Sequence, residues 1–140
     1  MREMIQEVLA AAQRAGATFA DLRYSHGSGT SILVQDGRAD KIATGSSRGA
    51  GVRVLVDGAW GFAATSQVLP AEAAKVAKRA CEMARANAKV LEQKTVLADN
   101  PAHVDVWQTP LIKDPFKIPV ADKAELLLAV CEALRKVKGV

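Results

Sequence analysis

Few residues of this 140-residue chain have the type and spacing that chemistry requires. Zinc needs three or four ligands converging at about 2.0–2.3 Å. The two histidines, His26 and His103, lie in a glycine-rich turn and in a proline-containing stretch, and neither falls in an H-E-x-x-H or H-E-x-x-x-H helix. Both read as loop histidines. Cys81 and Cys131 form no C-x-x-C pair and fall among Ala and Leu in helical patterns. A nucleophilic thiol needs an activating base and an electropositive setting, so buried structural cysteine is the expectation. Ser46, Ser47 and Ser66 have no G-x-S-x-G setting. Gly45-Ser46-Ser47-Arg48-Gly49-Ala50-Gly51 lacks the G-x-x-x-x-G-K-[ST] order and leads into a strand pattern, so it reads as a structural turn and not a phosphate loop. Arg53 can stack on Trp60 or Phe62, or pair with an acid. These residues describe a chain with no catalytic, metal-binding or cofactor-binding residue within positions 1–140.

The elements that would position them follow from pattern. Met4, Ile5, Val8, Leu9 and Ala12 recur at helical spacing, predicting a helix over about Arg2–Ala15 that Gly16 stops. Strands are predicted near Ala20–Ser25 and Ser31–Gln35, with Gly27 and Gly29 marking a turn between them. Asp36-Gly37 then reverses the chain into Arg38–Thr44, and Gly45-Ser46-Ser47 connects to a second hairpin whose turn is Asp57-Gly58. An Asp-Gly pair between apolar runs is the strongest short-range hairpin signal, because a type I′ turn needs positive φ twice. Tight registers put Leu55 opposite Trp60 and Arg53 opposite Phe62, with Val52, Val54 and Val56 facing Ala59, Gly61 and Ala63 on the other side. The small residues there would let a helix dock closely, although the pattern leaves open which face is covered. A second helix is predicted over Pro70–Ala88. Residues 98–119 hold four of the five prolines and read as extended, with one strand at Val104–Trp107. The last helix begins near Val120–Asp122, with Asp122 and Glu125 as a capping box and Leu126, Leu127, Val130, Leu134 and Val137 as its apolar stripe, and closes at Gly139. The fold expected is α+β: one domain over 1–140, an antiparallel meander of about five strands with two or three helices packed on it.

Composition bounds the function classes. Hydrophobic residues make up 49% and aromatics only 4%, which suits small side chains packed between helices and a sheet. No run of 18 apolar residues is present, so a membrane span is not expected. Net charge is +4. Lys75, Lys78, Arg79, Arg85 and Lys89 share the second helix with Glu72 and Glu82 and with no interleaved aromatics, so a solvated face is expected and not a nucleic-acid patch. Two cysteines without a framework fit a reduced, cytoplasmic setting.

Gly49 to Thr65 reads GAGVRVLVDGAWGFAAT. It is similar to the GVGVRV…DG…GFA-T segment near the start of the TldD/PmbA proteins, the "modulator of DNA gyrase" metallopeptidases. Lys113 to Arg135, KDPFKIPVADKAELLLAVCEALR, is similar to the DPF-x-x-P-x-x-x-K motif and leucine-rich helix of the TldD branch. With the opening helix and the Gly16–Tyr24 run, the resemblance covers nearly the whole chain in order. It implies the N-terminal domain of a longer, zinc-dependent peptidase acting on short or unfolded peptides. This domain would form a wall of the substrate cleft and part of a homo- or heterodimer contact. The family's zinc ligands have no counterpart within 1–140, so no catalytic residue is carried over. The alternative is a stand-alone peptide- or protein-binding module whose sheet edge accepts an extended peptide.

Overall fold

The structure is a computed structural model and describes residues 1–138. Helix α1 spans Arg2–Arg14, strands β1, β2 and β3 span Phe19–Gln35, Arg38–Val56 and Ala59–Thr65, α2 spans Pro70–Ala88 and α3 spans Val120–Arg135. The strands form one antiparallel sheet in the order β1-β2-β3. The fold is α+β, but the sheet has three strands and not about five. The segments expected as separate strands run together: β1 passes straight through Gly27 and Gly29, and β2 through Gly45, Ser46 and Ser47. The reason lies in φ. Only Asp36-Gly37 and Asp57-Gly58 in this region adopt positive φ, 52° and 75° at the first pair and 52° and 83° at the second. Glycine permits a reversal without requiring one, and these interior glycines stay extended.

The chain divides into two compact units, residues 1–27 with 46–100, and residues 28–45 with 101 onward. In the first unit α1 packs on α2, and α2 packs on β3. Val52, Val54 and Val56 of β2, Met4, Val8, Ala11 and Ala12 of α1, and Ala73, Ala77, Ala80, Cys81 and Ala84 of α2 form the core. Each buried valine contributes about 1.5–3 kcal/mol of transfer free energy. The Leu55↔Trp60, Arg53↔Phe62 and Val54↔Gly61 registers form as expected, and the small-residue face is the one α2 covers. Helix α1 ends in a Schellman motif: Gly16, at φ 78°, donates to the Gln13 carbonyl at 2.9 Å, and Ala17 to that of Ala12 at 3.0 Å. Pro70 opens α2 at its first turn.

In the second unit the Asp36-Gly37 turn meets α3. The Gly37 N–H donates to Cys131 Sγ at 3.2 Å. Three expectations fail here. Asp122 is not the cap of α3: Pro119 holds that position and Asp122 falls in the first turn. Val104–Trp107 is not a strand, because no partner strand meets it among the described residues. The stripe Leu126, Leu127, Val130, Leu134 and Val137 stays exposed, while α3 turns Ala124 inward. A helix apolar on most of its circumference gives periodicity little power to choose the inward face. The closure expected at Gly139 lies outside the described residues.

Candidate functional site

The face of the sheet opposite α2 carries the polar and aromatic side chains of the first unit. Alternation along β2 and β3 sends Arg53 and Phe62 to this face, because it sends Val52, Val54 and Gly61 into the core. Arg53 is the hub. Its guanidinium forms an ion pair with Asp21, with Nε 3.1 Å from Oδ2. The same guanidinium lies 4.8 Å from the centroid of Trp60, and Phe19 meets Trp60 edge-on at 5.8 Å. Both charged side chains are largely exposed, so the pair itself contributes only about 0.2–1 kcal/mol. What it achieves is position: Arg53 is held over the indole ring.

Beside this cluster runs an open groove of about 760 Å³, lined among others by Asp21, Arg23, Gly49, Gly51, Arg53 and Phe62. Gly49 and Gly51 bring no side chains, so the backbone of β2 is its floor. A Cβ at Gly51 would come within 3.0 Å of the Phe62 ring, which lies over that glycine. Arg53 and Asp21 largely neutralise each other, and Arg23 makes no ion pair among the described residues, so the groove carries a net positive charge.

The edge of β3 adjoins the groove. A two-residue turn makes Val56↔Ala59 a hydrogen-bonded pair, and pairs alternate from there. Trp60, Phe62 and Ala64 therefore turn their backbone N–H and C=O groups away from β2. Two contacts confirm the phase: the Trp60 carbonyl accepts from Asn87 Nδ2 at 3.0 Å, and on the other side the Leu55 carbonyl accepts from the Thr18 N–H at 2.8 Å. No strand lies beyond β3 among the described residues, so Phe62 and Ala64 present an open edge.

The titratable candidates fall elsewhere. His26 and His103 are both exposed and lie in different units. No group of three His, Cys, Asp or Glu side chains could hold a metal ion among the described residues. Cys81 is fully buried against α1, and burial pushes its thiol up from 9.0, with Arg85 opposing and Glu82 reinforcing. Cys131 is half-buried. The stacking of Arg53 and its pairing with an acid both occur. Asp21, Phe19 and Arg23 escaped sequence reasoning, because β1 meets β2 in a register that no local pattern announces.

Comparison with known proteins places this surface. Residues 20–84, from the second residue of β1 to within α2, match the family model "PmbA/TldA metallopeptidase domain 1". Over this segment the chain is similar to the first domain of the PmbA/TldD metallopeptidases. The chain is 28% identical over 110 residues to a metalloprotease of Methanocaldococcus jannaschii and 29% identical over 109 residues to a metalloprotease of Methanothermobacter thermautotrophicus. Those matches cover 79% and 78% of this chain but only 24% and 23% of the relatives. Among solved structures, a Bacteroides thetaiotaomicron protein described as a modulator of DNA gyrase superposes with a TM-score of 0.72 at 24% identity, over 98% of this chain and 31% of that one. TldE from Thermococcus kodakarensis superposes with a TM-score of 0.68 at 15% identity, over 95% of this chain and 29% of its own. Both share the fold. The chain thus spans about a quarter to a third of the length of these proteins. No described helix is long and apolar enough to cross a membrane.

Proposed function

We propose that this chain is the N-terminal, substrate-cleft and dimer-contact part of a TldD-like zinc-dependent peptidase of the cytoplasm, acting on short or unfolded peptides. The observation that carries the reading is the family match over residues 20–84, which contains the groove lining and the free β3 edge. Two relatives that are metalloproteases support it. In this reading the domain presents the peptide and the zinc chemistry belongs to other residues of the longer protein. An extended peptide can add to the outward groups of Phe62 and Ala64, gaining main-chain hydrogen bonds with no demand on its sequence.

Metal analysis and peptide hydrolysis by the purified chain test this reading. Zinc below stoichiometry and no cleavage are expected. Stoichiometric zinc with peptidase activity would overturn it.

The open β3 edge equally favours a second reading, a peptide-binding module without enzymatic activity. Hydrogen exchange at the Phe62 and Ala64 amides, with and without an extended peptide, reads edge binding directly. Inspection of the gene separates the two: a continuing frame with H-E-x-x-x-H favours the enzyme, a stop codon the module.

A further inference from the structure

The groove on the open sheet face lies within one compact unit and has two unlike walls. Its floor is bare at Gly49 and Gly51, so an occupant's side chains can reach down to the sheet. One wall is apolar: the Phe62 ring is 57% exposed and lies over Gly51. The other wall is charged. Arg23 stands two residues beyond Asp21 on β1, on the same face by strand alternation, and is exposed. Asp21 is engaged by Arg53, whose guanidinium lies over Trp60. Arg23 is left with an uncompensated charge, making no ion pair among the described residues. β1 and β3 flank β2, so the two walls are two strand spacings, about 10 Å, apart.

We propose that this groove selects among extended peptides, taking a segment in which an acidic residue stands two positions from an aromatic one. It rests on the peptide-presenting reading above and adds a preference among side chains. The lengths agree. The groove is lined by five consecutive β1 residues, Asp21 to Ser25. At about 3.3 Å per residue that is about 16 Å, the span of a five-residue extended segment. Residues two apart on such a segment point the same way, about 6.6 Å from each other. Laid along the glycine floor, one reaches the Phe62 ring and the other the Arg23 guanidinium. The aromatic contact is an offset or edge-on ring pair, and the acidic one a charge-assisted hydrogen bond to a planar donor fork. A basic residue in the acidic position meets like charge and is rejected.

Titration of the 140-residue chain with acetyl-Val-Phe-Thr-Glu-Val-amide, and with the same peptide carrying Gln or Lys in place of Glu, tests this. The blocked ends leave that one side chain as the only charge. Wild type should bind the Glu peptide about fivefold more tightly than the Gln peptide, and the Lys peptide least. Arg23→Glu should reverse the order. Lys78→Glu, the same charge change on α2 across the sheet, should leave it as it was. Replacing Phe by Ala in the peptide should cost about fivefold with wild type and nothing with Phe62→Ala. Arg23 and Phe62 are both exposed, so each variant should keep the wild-type urea midpoint. Equal binding of the three peptides by wild type overturns the proposal and leaves the presenting reading standing. So does an order that Lys78→Glu reverses as Arg23→Glu does, or an aromatic preference that survives Phe62→Ala. Binding of none of the peptides overturns both.

Discussion

Gly61 lies directly against the main chain of Ala80. A Cβ at this position would overlap the Ala80 carbonyl oxygen and come within 2.8 Å of the Ala84 nitrogen. Helix α2 approaches β3 this closely because the residues that meet here, Gly61, Ala80 and Ala84, are all small. Gly61→Ala should cost about 3 kcal/mol, the upper part of the range for overpacking, since backbone and not a mobile side chain must yield. Urea denaturation checks this, with wild-type behaviour counting against the contact.

The two hairpin turns should respond unequally. Gly58 has φ 83° and its added Cβ would lie 2.6 Å from the Lys94 Cβ. Gly37 has φ 75° but meets only the ends of Arg135 and Glu132. Gly58→Val should therefore destabilise by about 1–3 kcal/mol, with Gly37→Val costing less. The exposed Lys78→Ala should stay within about 0.5 kcal/mol. Equal midpoints for Gly58→Val and Lys78→Ala would contradict the type I′ turn.

Arg53 and Trp60 should be energetically coupled. A double-mutant cycle with Arg53→Ala and Trp60→Ala should return about 0.5–1 kcal/mol, the value for an exposed cation–π pair. Asp21→Ala should cost less than about 1 kcal/mol and lose that effect in molar salt. A coupling of zero would mean that Arg53 does not rest on the indole in solution.

Cys81 should leave a signature at alkaline pH. Its thiol is held above the ordinary value of 9.0 by burial. The unfolded chain therefore ionises first, so the thiol's contribution is complete below about pH 9 and declines as pH rises beyond it. The urea midpoint of wild type should fall more steeply above pH 9 than that of Cys81→Ala. In the native state a thiol reagent should modify the half-buried Cys131 well before Cys81. Identical pH profiles would show that Cys81 is not desolvated.

Local chemistry was enough to read the helices, both Asp-Gly turns and the register of the second hairpin from the residues alone. Each rests on neighbours in sequence: Gly16 ending α1, Pro70 opening α2, and a two-residue turn that dictates Arg53↔Phe62. The alanine stripe of α2 and Gly61 also announced a close docking before its partner was known. Tertiary structure decided the rest. Gly27, Gly29 and Gly45 could each have turned the chain, and remain extended because β1 and β2 pair across them. The ion pair of Arg53 with Asp21 joins residues 32 positions apart, and the groove needs three strands side by side. The inward face of α3 was likewise beyond its own pattern, since Leu126, Val130 and Leu134 are as apolar as the residues that turn toward the hairpin. Periodicity reports which positions share a face, but only contact with a partner element determines which face is withdrawn from water.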